Sequence, residues 1–184
     1  MKILNIHDYH ESNDNTAYKA LQECGFDIIN PKFDYAGMDP RPLFDLVVAH
    51  FQRNFCDIVV GTGIGAFLAM LLSAKELVPC VLVNPIVVPG LYLDELGYNR
   101  CVGISGLRDL EFMYMQKLNL CGVSTIVDID NRLMDARMLN YTKILLHNPR
   151  YYEISNSTAS VIIDMFKTHV KEWFYDPYER DLAE

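Results

Sequence analysis

What this chain lacks narrows its class first. It holds no run of lysine and arginine longer than two residues, and its 16 basic side chains are outnumbered by 24 acidic ones, for a formal net charge of -8. A field of that sign repels phosphate, which argues against nucleic acid or an anionic membrane surface as a general partner. No apolar run approaches the ~20 residues that span a bilayer. The opening Met1-Lys2-Ile3-Leu4 leads directly into a strand-like run, without the long apolar core and small-residue cleavage site of a secretory leader, so a cytoplasmic location is expected. The 5 cysteines, at positions 24, 56, 80, 101 and 121, are odd in number, scattered and mostly set in apolar runs. That usage suits small buried thiols in a reducing compartment better than a disulfide frame. There is no Cys-x-x-Cys pair, and His7-x-x-His10 has no third ligand in sequence, so neither a metal nor another cofactor is expected.

What is present is the alternation of an α/β domain. The 184 residues, 51% of them hydrophobic, suit one domain spanning 1–184 with a substantial core. Short apolar runs at 2–6, 26–29, 58–60, 80–83, 122–127 and 151–154 read as strands. They are continuous rather than alternating, which implies burial on both faces and a mostly parallel sheet sandwiched by helices. Asp14 or Asn15 caps a helix that carries Tyr18, Leu21 and Cys24 on one face and stops at Gly25. Pro40 and Pro42 open another, with Leu43, Val47, Val48 and Phe51 on one stripe. Residues 85–99 read as an excursion over the sheet edge before a helix at 107–118. Residues 133–146 keep helical spacing through Met134, Met138, Tyr141 and Leu145, although 143–146 would also serve as a strand. The last helix is the plainest, with Ala159, Ile162, Ile163, Phe166, Val170, Trp173 and Phe174 on one apolar face.

The stretch from Cys56 to Phe67 carries the most chemistry. A short apolar strand runs into the glycine-rich turn Gly61-Thr62-Gly63-Ile64-Gly65, and a helix of small and apolar residues at 67–74 leaves it. This is the layout of a G-x-S-x-G nucleophile elbow, in which a tight turn lifts a serine oxygen above the end of a strand. Here the middle position is Gly63, which has no oxygen to attack a carbonyl. The same residues formally satisfy G-x-G-x-x-A, a dinucleotide fingerprint. That motif should open the domain and be followed by an acidic ribose ligand, whereas this one follows the third strand and the next strand exits into Asn84-Pro85.

Together, Ile3-Leu4-Asn5-Ile6-His7, the strand, elbow and helix of 57–74, the exit Val81-Leu82-Val83-Asn84-Pro85, and Asp130 after a late strand resemble the small single-domain bacterial esterases of the α/β-hydrolase superfamily. The resemblance covers the whole chain in the same element order. It implies an α/β-hydrolase fold with little or no lid and a site at the carboxyl ends of the strands. Carried over residue by residue, it puts the nucleophile at Gly63 and the general base within Ser155-Asn156-Ser157-Thr158, with Ser157 nearest, where there is no histidine. The His-Gly whose backbone helps form an oxyanion hole becomes His7-Asp8. Only the acid persists, as Asp130, with Asp128 the alternative.

Each of these groups also has a plain structural reading. Asp130 and Ser157 are ordinary helix caps, and His7 is a histidine at the rim of the site, packed against the turn. Thr62, beside the tip, should point elsewhere, and Cys56 and Cys80 begin strands at the end of the sheet opposite the site. Hydrolases of this kind use nucleophile, base and acid as a unit. The expectation is therefore a non-catalytic small-ligand or protein-binding module, its cleft lined by His7, Asp8, Thr62, Gly63, Ile64 and Asn84. The alternative is an active carboxylester hydrolase with a non-standard site, in which His7 or Asp8 acts with Asp130 on water. Asp8 and Asp130 should outweigh the helix dipole behind Ile64 and favour a neutral or cationic ligand, or a partner's side chain, over an anion.

Overall fold

The computed structural model describes residues 1–9, 11–35, 39–90, 122–130, 140, 142, 146, 150–155 and 159–174, with 159 and 169–174 as backbone only. In chain order the elements are β1 (Lys2–Ile6), α1 (Thr16–Glu23), β2 (Asp27–Ile29), α2 (Pro40–Arg53), β3 (Ile58–Thr62), α3 (Ile64–Glu76), β4 (Cys80–Val83), β5 (Val123–Asp128), β6 (Arg150–Ile154) and α4 (Ala159–Phe174). The strands form one six-stranded sheet in the order β2-β1-β3-β4-β5-β6, and every pairing is parallel.

Burial on both faces of the sheet explains the continuous apolar strands. Successive side chains alternate between faces. Leu4, Ile6, Val59, Leu82 and Val127 therefore pack with α2 and α3, while Ile3, Val60, Val81, Val83 and Ile126 pack with α1 and α4. α3 is buried from Ile64 through Ser73, so it needs no polar face. It begins three residues before the sequence suggests, because Gly63 is itself the N-cap and the small residues behind it are already helical. α1 starts where expected, with the Asn15 side chain accepting the Tyr18 amide at 2.7 Å. β5 ends one residue later than expected, because Asp128 still pairs with Ile154.

The Leu146 amide donates to the Thr142 carbonyl at 3.1 Å. The rest of 133–146, the excursion beyond residue 90, the helix at 107–118 and the 156–158 segment lie outside the described residues. Among the described residues no helix is long and apolar enough to cross a membrane.

Close approach of α3 to β1 is possible only because the helix's first turn has no side chain at Gly65. A Cβ there would run into the carbonyl oxygens of Ile6 and His7, backbone atoms that have no room to give. Gly65→Ala is therefore expected to cost about 3 kcal/mol or more in urea unfolding. Gly25→Ala is the control. Gly25 has positive φ but open space around it, so the loss there should be only about 1–2 kcal/mol.

Candidate functional site

The chain turns from β1 toward β2 on one side and from β3 toward β4 on the other, so a crevice opens between the carboxyl ends of β1 and β3. Parallel α/β sheets place ligands at such switch points. The segment after β1, His7-Asp8-Tyr9, meets the turn after β3 there. At the tip of that turn Gly63 has φ 57° and ψ -119°, a conformation open in practice to glycine and costly for other residues. Two backbone bonds hold it: the Gly63 amide donates to Val83 at 3.0 Å, and the Ile86 amide donates to the Gly63 carbonyl at 3.1 Å.

The Asp8 carboxylate lies directly over this tip. Its Oδ1 accepts the Ile64 amide at 2.7 Å and the Tyr9 amide at 2.7 Å. These are the amide of the residue after the elbow and an amide of the loop after the first strand, the pair that receives a substrate oxyanion in hydrolases of this layout. Both distances fall in the range such donors keep to an oxyanion. A Cβ on Gly63 would overlap Asp8 Cγ and both carboxylate oxygens, so the carboxyl group stands where a nucleophile side chain would rise. It also lies at the N-terminus of α3, where a negative charge is stabilised. The sequence led to the expectation that the Asp8 charge disfavours an anion here; in the structure Asp8 is itself the anion between the two amides.

His7 is not a rim residue. It is 2% exposed, and both ring nitrogens are engaged. The Phe33 amide donates to Nε2 at 2.9 Å, so the proton sits on Nδ1, 2.8 Å from the Asp8 carbonyl oxygen. Tyr35 stacks edge-on against the ring, with centroids 5.3 Å apart, and its hydroxyl donates to the His7 carbonyl. Burial pushes the Tyr35 hydroxyl well above its usual range, and the charges of Asp8 and Glu11 push it further the same way. The Glu11 carboxyl is also raised, first by burial and then by Asp8.

The remaining expected site residues do not converge on the tip. Thr62 follows Val60 onto the α1 face of β3, with its hydroxyl buried and unpartnered. Asn84, at φ 46°, accepts the Asp128 amide on its Oδ1 at 2.7 Å and so ties the end of β4 to that of β5. Asp128 is buried and accepts the Asp130 amide at 3.0 Å, whereas Asp130 is exposed, unlike an acid that orients a buried base. Ser157 lies outside the described residues. Among the described residues no three His, Cys, Asp or Glu side chains are grouped to hold a metal ion. Cys56 and Cys80 are buried at the amino ends of their strands, away from the tip, and burial pushes the Cys56 thiol up to about 11.

Sequence reading missed the supports of the site: Phe33, Tyr35, and the buried Asn5, whose amide reaches Asn30 at 2.8 Å and Asn15 at 3.4 Å. An asparagine inside an otherwise apolar strand was the signal available for the last.

No protein-family model and no curated protein matches the chain. Solved structures do. An α/β hydrolase enzyme from the metagenome of sediments of the lagoon of Mar Chica, Morocco, is similar with TM-score 0.67 and 17% identity, covering 98% of this chain and 92% of that one. An S-formylglutathione hydrolase from Staphylococcus aureus is similar with TM-score 0.65 and 9% identity, covering 94% and 83%. An esterase from Pyrococcus furiosus is similar with TM-score 0.62 and 14% identity, covering 94% and 80%. At such low identity the likeness is one of fold: this chain has the α/β-hydrolase fold. Within that fold its structural neighbours include esterases.

Two measurements follow from this geometry. Gly63→Ala is expected to destabilise the protein by about 2–4 kcal/mol, combining backbone strain with the overlap on Asp8. In an Asp8→Gly background the same substitution should cost only the strain, about 1–3 kcal/mol, so the two changes couple in a double-mutant cycle of unfolding free energies. The second concerns Cys56. A thiol raised from 9.0 to about 11 favours folding in its neutral form, so its contribution is full below pH 9 and is lost as pH rises toward 11. Its alkylation by iodoacetamide should be slow at neutral pH and accelerate across that window, which mass spectrometry of the modified peptide would follow.

Proposed function

We propose that this protein is a non-catalytic relative of the esterases, a binding module that keeps the hydrolase sheet and its crevice but not the chemistry. One observation carries the reading: a carboxylate of the chain itself fills the amide pair meant for a substrate oxyanion, above an elbow whose tip is glycine. Acyl transfer in this fold needs an attacking side chain, a base to take its proton and an empty pair of donors for the tetrahedral oxyanion. Gly63 supplies no attacking atom, the base position has no histidine, and the donors are occupied.

The alternative, water activated by His7 or Asp8 with Asp130, has less support. Both nitrogens of His7 are committed to backbone groups, one Asp8 oxygen accepts two amides, and Asp130 is exposed. The charge argument for a cationic ligand also weakens, because the Asp8 charge is already matched by two N–H groups and a helix end. What the crevice offers a small molecule or a partner side chain is therefore shape and neutral polar groups, in a single domain placed in the cytoplasm.

The purified protein is expected to hydrolyse short p-nitrophenyl esters no faster than buffer and to resist labelling by a fluorophosphonate. Gly63→Ser alone should not change this, since the new side chain would meet Asp8 and find no imidazole. Asp8→Gly should empty the amide pair. Acetate or formate, without effect on the wild type, should then raise the melting temperature of that variant by a few degrees at saturating concentration. Reproducible turnover by the wild type that is abolished by Asp8→Asn would overturn the proposal.

A further inference from the structure

Asparagines 5, 13, 15 and 30 form one hydrogen-bonded group where β1, the end of β2 and the start of α1 meet. Asn5 follows Ile3 onto the face of β1 against which Ala17, Ala20 and Leu21 of α1 pack, and it is fully buried. Its Nδ2 donates to Asn30 Oδ1 at 2.8 Å and to Asn15 Oδ1 at 3.4 Å. Asn13 Nδ2 donates to the Asn30 carbonyl at 3.0 Å, and Asn30 Nδ2 returns a bond to the Asn13 carbonyl at 2.7 Å.

Backbone groups fix which way these amides face. The Tyr18 amide can only donate, so the Asn15 atom 2.7 Å from it is the oxygen. The Asn13 carbonyl can only accept, so Asn30 turns its nitrogen to that carbonyl and its oxygen to Asn5. Asn5 therefore meets two oxygens, and exchanging its own oxygen and nitrogen would set oxygen against oxygen. This arrangement leaves two atoms over. Asn5 Oδ1 and Asn15 Nδ2 are both buried and have no hydrogen-bond partner among the described residues. One accepts, the other donates, and they belong to side chains already in contact. Buried polar atoms in folded proteins are bonded to protein or to ordered water in the large majority of cases. The Ala17 amide, in the first turn of α1, is a further donor with no partner inside the helix, on a residue 1% exposed.

The leftover atoms select their ligand. An anion would suit the donors at the helix end but not the Asn5 oxygen, and a metal ion would suit that oxygen but not the donors. A neutral molecule that both donates and accepts suits all of them. Because neither side-chain atom reaches solvent, that molecule has to be small, and water meets both conditions.

We propose that Asn5 and Asn15 hold an internal water molecule, which donates to Asn5 Oδ1 and accepts from Asn15 Nδ2 and so joins β1 to the N-terminus of α1. Asn13 and Asn15 end the connection that leads from Asp8 to α1, so the water helps to anchor that connection to the sheet. A crystal structure of the full chain at a resolution that shows ordered water tests this, together with magnetic relaxation dispersion of water oxygen in solutions of the wild type and of Asn5→Leu. In the crystal, a density peak the size of water should lie within hydrogen-bond distance of both Asn5 Oδ1 and Asn15 Nδ2. In solution, Asn5→Leu, which keeps the bulk of the side chain and removes the acceptor, should hold one long-lived water fewer than the wild type. Should that variant fail to fold, the wild-type crystal decides alone. The proposal is overturned by a crystal structure in which the two amides have turned to bond each other or another part of the chain, in which no peak bridges them, or in which the peak belongs to a larger solute. It is equally overturned by a folded Asn5→Leu that keeps the wild type's full number of long-lived waters.

Discussion

Two hydrogen bonds, from the amides of Ile64 and Tyr9 to one oxygen of Asp8, set the terms for the carboxyl end of this sheet. Bonds to an ionised acceptor are among the stronger ones a protein makes, about 1.5–3 kcal/mol each, and these act at a helix N-terminus. With the carboxylate in place, position 63 admits no side chain. The Asp8 carbonyl pairs with His7 Nδ1, and the His7 carbonyl in turn takes the Tyr35 hydroxyl. An enzyme must hold its oxyanion donors open and dry, a costly arrangement in the resting state. Here the donors are satisfied from within, so the strain common at catalytic turns is largely relieved: glycine accepts the backbone angles and aspartate the amides.

Much of the fold was legible because its signals are local. Continuous apolar runs marked strands covered on both faces, Asn15 and the Pro40/Pro42 pair marked helix starts, and the elbow was written in Gly61, Gly63 and Gly65. The glycine at the elbow tip was legible for the same reason. The role of Asp8 was not. Its position beside the hole followed from the resemblance, but whether its side chain would face the amides or turn from them depends on a rotamer chosen between elements 56 residues apart. His7 misled in a similar way, since a histidine at the end of a strand reads as accessible until the Phe33–Tyr35 segment, from beyond β2, is laid over it. Asp130 matched by order along the chain, yet exposure and orientation are tertiary properties that order does not encode.

The two ends of the sheet manage their polar and apolar groups in opposite ways. At the carboxyl end, loop amides, an aspartate and an asparagine turn at Asn84 close hydrogen bonds among themselves, with the buried Thr62 hydroxyl left out of them. At the amino end, helices terminate against water with apolar side chains held outward. Among the described residues, the non-glycine left-handed residues are Phe55 and Leu77 at the amino end and Asn84 near the site.

The parallel pairing of β1 with β3 also has a consequence for synthesis. Lys2 bonds Asp57 across 55 positions of sequence, and β2 with two helices must be made in between. At about 5–20 residues per second, a ribosome needs several seconds to supply β3 after β1 has been made, and β4, on the far side of β3, comes later still. Throughout that interval Ile3, Leu4 and Ile6, fully buried in the finished protein, have only one neighbouring strand available, the short edge strand β2. The central strands of this sheet are therefore completed late, and one edge of β1 stays open until β3 has been made.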